Sequence, residues 1–217
     1  MGGGTPKQYL ELAGRTLLER ALAPLLASPR LTGGVVVLAA DDCAFARLPC
    51  AASPQLRTCS GGEERADSVH AGLRTLSSVA AADDWVLVHD AARPCLESAD
   101  LERLINECEH DPVGGLLATP LSDTLKRADA AGRVAGTVER TGLWRALTPQ
   151  MFRLGRLIAA LDACRRDGIV PTDEAAAIEH LGLQPRLVAG SPDNIKLTAP
   201  ADIEVARRWL AARGERA

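Results

Sequence analysis

The run Trp85-Val86-Leu87-Val88-His89-Asp90-Ala91-Ala92-Arg93-Pro94 constrains this chain more than any other stretch. Four mostly apolar residues without polar alternation read as a strand buried on both faces, the kind that parallel sheets use. Pro94 has no N–H with which to extend a ladder, so the strand ends near His89-Asp90. Open α/β sheets bind ligands beyond the carboxyl ends of their strands, which is where Asp90 falls. Ala91 and Ala92 leave room for a ligand to approach the backbone, and Arg93 offers a planar fork suited to phosphate. A turn aspartate beside a solvated arginine would use the same residues, so the rest of the chain has to decide.

Around this run, strands and helices alternate. Leu18, Ala21, Leu22 and Leu25 share one helical face within 16–26, and Val35-Val36-Val37-Leu38 is a second buried strand. Leu56–Cys59 reads as a short strand, and Val69, Leu73 and Leu76 mark a helix opening near Asp67. Between them, Gly61-Gly62-Glu63-Glu64 is a glycine turn at a helix N-terminus, whose backbone N–H groups can bond a base or an anion. Leu101, Leu104, Ile105 and Cys108 give another amphipathic helix, and Gly115–Thr119 a further strand. Such alternation predicts a mostly parallel sheet wrapped on both faces.

Residues 124–139 break the pattern. Two short runs flank Asp129-Ala130-Ala131-Gly132 and predict a hairpin arm, which must pack on the body or on a second subunit because an isolated hairpin is marginal in water. Leu143–Gln150 returns the chain. Helices then follow around Leu157–Cys164 and after the cap Thr172-Asp173-Glu174, with a strand at Leu187-Val188 and a last helix from Pro200. Near the start, Gly2–Gly4 resemble the downstream half of a phosphate loop, with Lys7 as its cation and no strand before it.

Bulk properties narrow the function. A chain of 217 residues is most simply one domain, and a net charge of −3 argues against a generally basic nucleic-acid binder. No apolar run approaches the ~20 residues that cross a bilayer. Six cysteines form no C-x-x-C pair, which predicts thiols in a reducing cytoplasm. The polar candidates are Lys7, the turn from Gly62 to Ser68, Asp90, Arg93, Arg140, Asp193 and Lys196. Lysines, arginines and strand-end aspartates suit phosphoryl or nucleotidyl transfer, where positioning and charge neutralisation do most of the catalysis. Aspartate beside a triphosphate implies Mg²⁺, a hard cation that prefers oxygen ligands.

Taken in order, several motifs resemble the 2-C-methyl-D-erythritol 4-phosphate cytidylyltransferase family. They are Pro6-Lys7-Gln8-Tyr9, Gly61-Gly62 with Arg65-Ala66-Asp67-Ser68-Val69, and Val88-His89-Asp90-Ala91-Ala92-Arg93-Pro94. Thr137-Val138-Glu139-Arg140, Leu147-Thr148-Pro149-Gln150, Thr172-Asp173-Glu174-Ala175 and Asp193-Asn194-Ile195-Lys196-Leu197-Thr198 follow. The resemblance implies a single Rossmann-like, doubly wound nucleotidyltransferase domain over 1–217, with a dimerisation arm at about 124–150 that reaches into the partner's site. It implies transfer of CMP from CTP to a methylerythritol phosphate, releasing pyrophosphate, with Mg²⁺ held mainly through the nucleotide and by Asp90. Lys7 and Lys196 would be catalytic. Gly62, Glu63, Ser68, Asp90 and Ala91 would bind CTP, and Arg93, Thr137, Arg140, Thr172 and Asp193 the acceptor.

Glu63 stands where many relatives carry Asp. Met1 falls on the methionine of the family's opening P-A-A-G-x-G-x-R-M, so the first strand and the first half of the glycine loop are expected to precede it. Ribitol 5-phosphate as acceptor, and a truncated, non-catalytic nucleotide-binding form, are the alternative readings.

Overall fold

The computed structural model describes residues 6–214, so the reading of Gly2–Gly4 as a loop lies outside the described residues. Lys7–Tyr9 forms a 3-10 turn, and a small hairpin follows, β1 (Glu11–Leu12) and β2 (Arg15–Thr16). Two-residue strands leave no alternation to read, and the sequence pattern did not reveal them. Helix α1 (Leu17–Ala27) starts at a capping box: Thr16 Oγ1 accepts from the Glu19 N–H at 3.2 Å, and Glu19 Oε2 accepts from the Thr16 N–H at 3.0 Å. The parallel pair β3 (Gly34–Leu38) and β4 (Leu56–Ser60) comes next.

Helix α2 (Arg65–Leu76), β5 (Trp85–Val88), α3 (Ser98–Cys108) and β6 (Gly114–Pro120) continue the expected alternation. Helix α2 opens at Arg65, ahead of the expected Asp67. The arm is β7 (Leu125–Ala128) and β8 (Val134–Val138), closed by the Asp129 carboxylate, which accepts from the N–H groups of Ala131 and Arg133. Then come β9 (Trp144–Arg153), α4 (Leu154–Arg166), α5 (Glu174–His180), β10 (Arg186–Ala189) and α6 (Pro200–Ala212).

Four strands join in the order β10-β6-β9-β5. Strand β10 is parallel to β6, while β9 is antiparallel to both β6 and β5. Three strands therefore share one direction, and the fourth, β9, runs against them. This corrects the reading of Leu143–Gln150 as a mere return: the segment opens a ten-residue strand whose stretch 147–152 is entirely buried. Pro149 disguised it, because a proline normally argues against a central strand. Here Pro149 falls where the β6–β9 register shifts between Leu116 and Ala118, so its missing N–H breaks no regular pair.

Side chains alternate across this sheet. Val86, Leu116 and Phe152 pack with Leu73 of α2, Leu157 of α4 and Ile178 of α5. Leu87, Leu117, Met151 and Val188 pack on the other face with Leu101, Leu104 and Cys108 of α3. Each fully buried Leu, Met or Phe contributes roughly 1.5–3 kcal/mol of transfer free energy. No disulfide joins the six cysteines, and Cys108 is buried as its helical face predicted.

The β3–β4 pair is a separate two-stranded sheet. A cavity of about 440 Å³ lies between β3 and β5, bounded by Leu18 and Leu22 of α1 and by Gly72 and Leu73 of α2. Lys7, Arg65, Ser68, Asp90 and Ala91 line it too. No helix among the described residues is long and apolar enough to cross a membrane.

Candidate active site

Strand β5 delivers Asp90 to the centre of a ring of cations. Its Oδ1 accepts from Arg65 Nε at 3.2 Å and Nη2 at 3.1 Å, and its Oδ2 lies 3.1 Å from Lys196 Nζ and 3.6 Å from Arg93 Nε. Burial alone would push the Asp90 carboxyl up, but Arg65, Lys196 and Arg93 outweigh it and hold the group below the usual carboxylate range. Arg65 also donates to Glu174, from Nη1 to Oε1 at 2.6 Å and from Nη2 to Oε2 at 3.1 Å. Glu174 is 1% exposed, and burial pushes its carboxyl up against the opposing pull of Arg65. Burial and the charge of Lys196 lower the Lys7 ammonium, while Asp202 and Asp90 pull the other way.

The glycine turn is built by close approach. Gly62 N–H donates to Ser68 Oγ at 3.2 Å, and a Cβ on Gly62 would meet the Asp67 Cβ at 2.4 Å. Any larger residue would have to push the turn off Asp67 in the first turn of α2. Glu63 is exposed at its tip.

A second network brings the distant loops to Asp90. The Asp90 N–H donates to Thr148 Oγ1 at 3.1 Å, and Thr148 Oγ1 lies 2.8 Å from His89 Nδ1. His89 Nε2 faces the Arg93 carbonyl at 3.1 Å, so its proton resides on Nε2, and Nδ1 accepts from the threonine hydroxyl. Burial pushes the His89 pKa down to about 4, keeping the ring neutral at pH 7. Asn194 Nδ2 donates to the Thr148 carbonyl at 2.7 Å, Arg93 Nη1 to the Asn194 carbonyl at 2.7 Å, and the Leu197 N–H to the Ala92 carbonyl at 2.8 Å. Those bonds dock 193–198 against the end of β5 and set Lys196 on Asp90. Gln150 does the same for the start of α5, accepting from the Ala175 N–H at 2.8 Å and donating to Asp173 Oδ2 at 3.0 Å.

Lys7, Arg65, Arg93 and Lys196 thus gather around two carboxylates, a surplus of positive charge suited to a polyanion whose charge grows during reaction. Among the described residues no three His, Cys, Asp or Glu side chains cluster as a ready metal site.

A model of the 2-C-methyl-D-erythritol 4-phosphate cytidylyltransferase family matches residues 1–212. The chain belongs to that family. It is 56% identical over 215 residues to the 2-C-methyl-D-erythritol 4-phosphate cytidylyltransferase of Pseudomonas putida strain W619, covering 98% of this chain and 92% of the relative. A crystal structure of a 4-diphosphocytidyl-2C-methyl-D-erythritol synthase superposes with a TM-score of 0.86 at 43% identity, covering 94% of both chains. The Francisella tularensis cytidylyltransferase of the family superposes with a TM-score of 0.83 at 34% identity, over 94% of this chain and 93% of that one.

Of the positions singled out by resemblance to the cytidylyltransferases, the structure brings Lys7, Ser68, Asp90, Ala91, Arg93 and Lys196 together. Thr172 is exposed beside the α5 cap. Asp193 lies on the Lys196 loop, with its Oδ2 3.4 Å from Arg213 Nη2. Thr137 and Arg140 sit on the arm, where Thr137 receives a bond from Lys126 at 2.6 Å and Arg140 bonds the Ser122 carbonyl. Among the described residues, none of their hydrogen bonds reaches Asp90. Arg65, Glu174 and Thr148 lie within the family motifs, but the sequence pattern assigns them no role of their own. Arg65 follows the glycine turn and Glu174 follows a helix cap, and those positions were the available signals.

Proposed function

We propose that this chain transfers CMP from CTP to 2-C-methyl-D-erythritol 4-phosphate. An oxygen of the acceptor's phosphate bonds to the α-phosphorus, the α–β bridging bond breaks, and pyrophosphate leaves with the electron pair. The observation that carries this reading is the convergence of Lys7, Lys196 and Arg93 on Asp90, beside the glycine turn. Lys7 and Lys196 stabilise the charge that builds on the α-phosphate and the leaving group. Gly62, Glu63 and Ser68 read the cytosine, Asp90 and Ala91 hold the ribose, and Arg93, Thr172 and Asp193 face the acceptor.

Mg²⁺ fits here as a companion of the triphosphate, since among the described residues no three acidic side chains cluster to hold it alone and Asp90, whose Oδ1 bonds Arg65, would lend at most Oδ2. Bound, it would neutralise phosphate charge and straighten the displacement. The arm supports a homodimer. Val134 is 67% exposed and Trp144 at its base 36% exposed, and Thr137 and Arg140 become acceptor ligands if they reach a partner's cluster. The cysteine thiols fit a cytoplasmic enzyme acting as a single domain.

The space between β3 and β5 is the place for one further strand, completing a doubly wound, Rossmann-like sheet and leading a glycine loop to Lys7. That assignment rests on the apolar lining of the cavity from β3 and β5.

Pyrophosphate release with CTP, Mg²⁺ and methylerythritol phosphate is the test, run on the 217-residue chain and on one extended by a strand and glycine loop. Release in either, with none from ribitol 5-phosphate, is expected. Release with ribitol phosphate alone reassigns the acceptor. No release from either chain, with CTP still bound, supports a non-catalytic nucleotide-binding form.

A further inference from the structure

Arg65 is bonded to two carboxylates on two different elements. Its guanidinium contributes two hydrogen bonds to Asp90 Oδ1, at the end of β5, and a two-pronged pair to Glu174, in the first turn of α5. It occupies the first position of α2, directly after the glycine turn. The Glu174 side chain is 2% exposed, so water does not replace a partner it loses, whereas that of Asp90 is 13% exposed and lines the cavity. A lysine could not span both, because a single ammonium lacks the planar fork.

We propose that Arg65 and Glu174 form a positioning pair that fixes Asp90 for the nucleotide and sets the distance between the glycine turn and the acceptor-side segment Thr172–Glu174. By occupying Oδ1, Arg65 turns Oδ2 toward Lys196 and leaves it as the oxygen that faces the ligand. Glu174 holds the guanidinium in plane, and it is itself held because Gln150 clamps its neighbours Asp173 and Ala175 to β9. The base-reading turn, the ribose carboxylate and the acceptor loop therefore share one hub. This inference rests on the cytidylyltransferase reading for what each part binds.

The test uses the active form of the enzyme, with Arg65→Lys, Glu174→Gln and the double variant. Titration calorimetry with CTP and Mg²⁺, steady-state kinetics at 25 °C and thermal melting are measured for each. Arg65→Lys is expected to raise KM and Kd for CTP about tenfold and to lower kcat at least tenfold, with Glu174→Gln acting in the same direction but less. The double variant should be no worse than Arg65→Lys alone, because the two residues act as a unit. Variants that melt earlier yet keep wild-type kcat, KM and Kd would reduce the pair to a structural tie and overturn the proposal, as would losses that multiply in the double variant. If Arg65→Lys does not fold, Glu174→Gln decides by the same readouts. An inactive wild type overturns the cytidylyltransferase reading instead, and CTP binding to the variants still tests the pair.

Discussion

The four-stranded sheet and the separate β3–β4 pair are held by different physics. On the β5–β9–β6–β10 side, neighbouring strands are hydrogen-bonded, and Phe152, Leu117 and Leu147 are fully buried between helices on both faces. On the β3–β4 side Val36 is the one buried residue of β3, and a cavity of about 440 Å³ separates that strand from β5. Helix α2 spans the two, packing Leu73 with the main core while a Cβ on Gly72 would come within 2.9 Å of Val37 Cγ2 of β3. At one end of the cavity, Arg65 of α2 reaches Asp90 and Glu174. The charges proposed to serve the ligand thus also join the close-packed part to the loosely packed part. Changes at the site and changes in the packing can be told apart by where they act.

The largest contrast is expected from truncating one side chain on each side. Phe152→Ala should lose about 3–5 kcal/mol, because it leaves a void that close-packed neighbours cannot fill. Val36→Ala should lose only about 1.5 kcal/mol, the transfer term alone, since open space already adjoins it. Urea unfolding measures both, and equal losses would mean that the space beside β3 is filled in solution. Lys196→Ala should leave stability nearly unchanged and lower kcat about 10²–10³-fold, read by pyrophosphate release at saturating substrates. An unaltered kcat would remove the cation ring from the chemistry.

Acid should act on the close-packed side through His89. Its pKa is about 4 in the folded protein against 6.5 ordinarily, so the unfolded chain takes up the proton first. The stability is fully present above pH 6.5 and is lost as pH falls toward 4, by about 3 kcal/mol in all. Urea midpoints at pH 7 and pH 4.5 measure this loss, and a His89→Asn variant should show a shallower fall over that window. The smallest change is expected on the arm. Val134→Ser should alter monomer stability by less than about 0.5 kcal/mol, since the side chain is largely exposed. Sedimentation should nevertheless show the proposed homodimer weakened, and a monomeric wild type or an unchanged dimer would overturn that role for the arm.

What the sequence determined by itself was the local content. The apolar run Trp85–Val88, the helical faces of α1, α3 and α4 and the Asp129–Gly132 turn stand where periodicity and turn chemistry put them. Asp90 could be placed at a strand end because Pro94 and the alanines around it leave few alternatives. The family was legible too, since ordered motifs need no three-dimensional information. What only the tertiary structure decided was pairing. Strand β9 became central because two partners accept it from either side, and its Thr-Pro-Gln stretch carried no strand signal of its own. Arg65 meets Asp90 across 25 positions and Glu174 across 109. Such contacts depend on chain closure and on burial that removes competing water, and neither leaves a periodic trace in a single sequence.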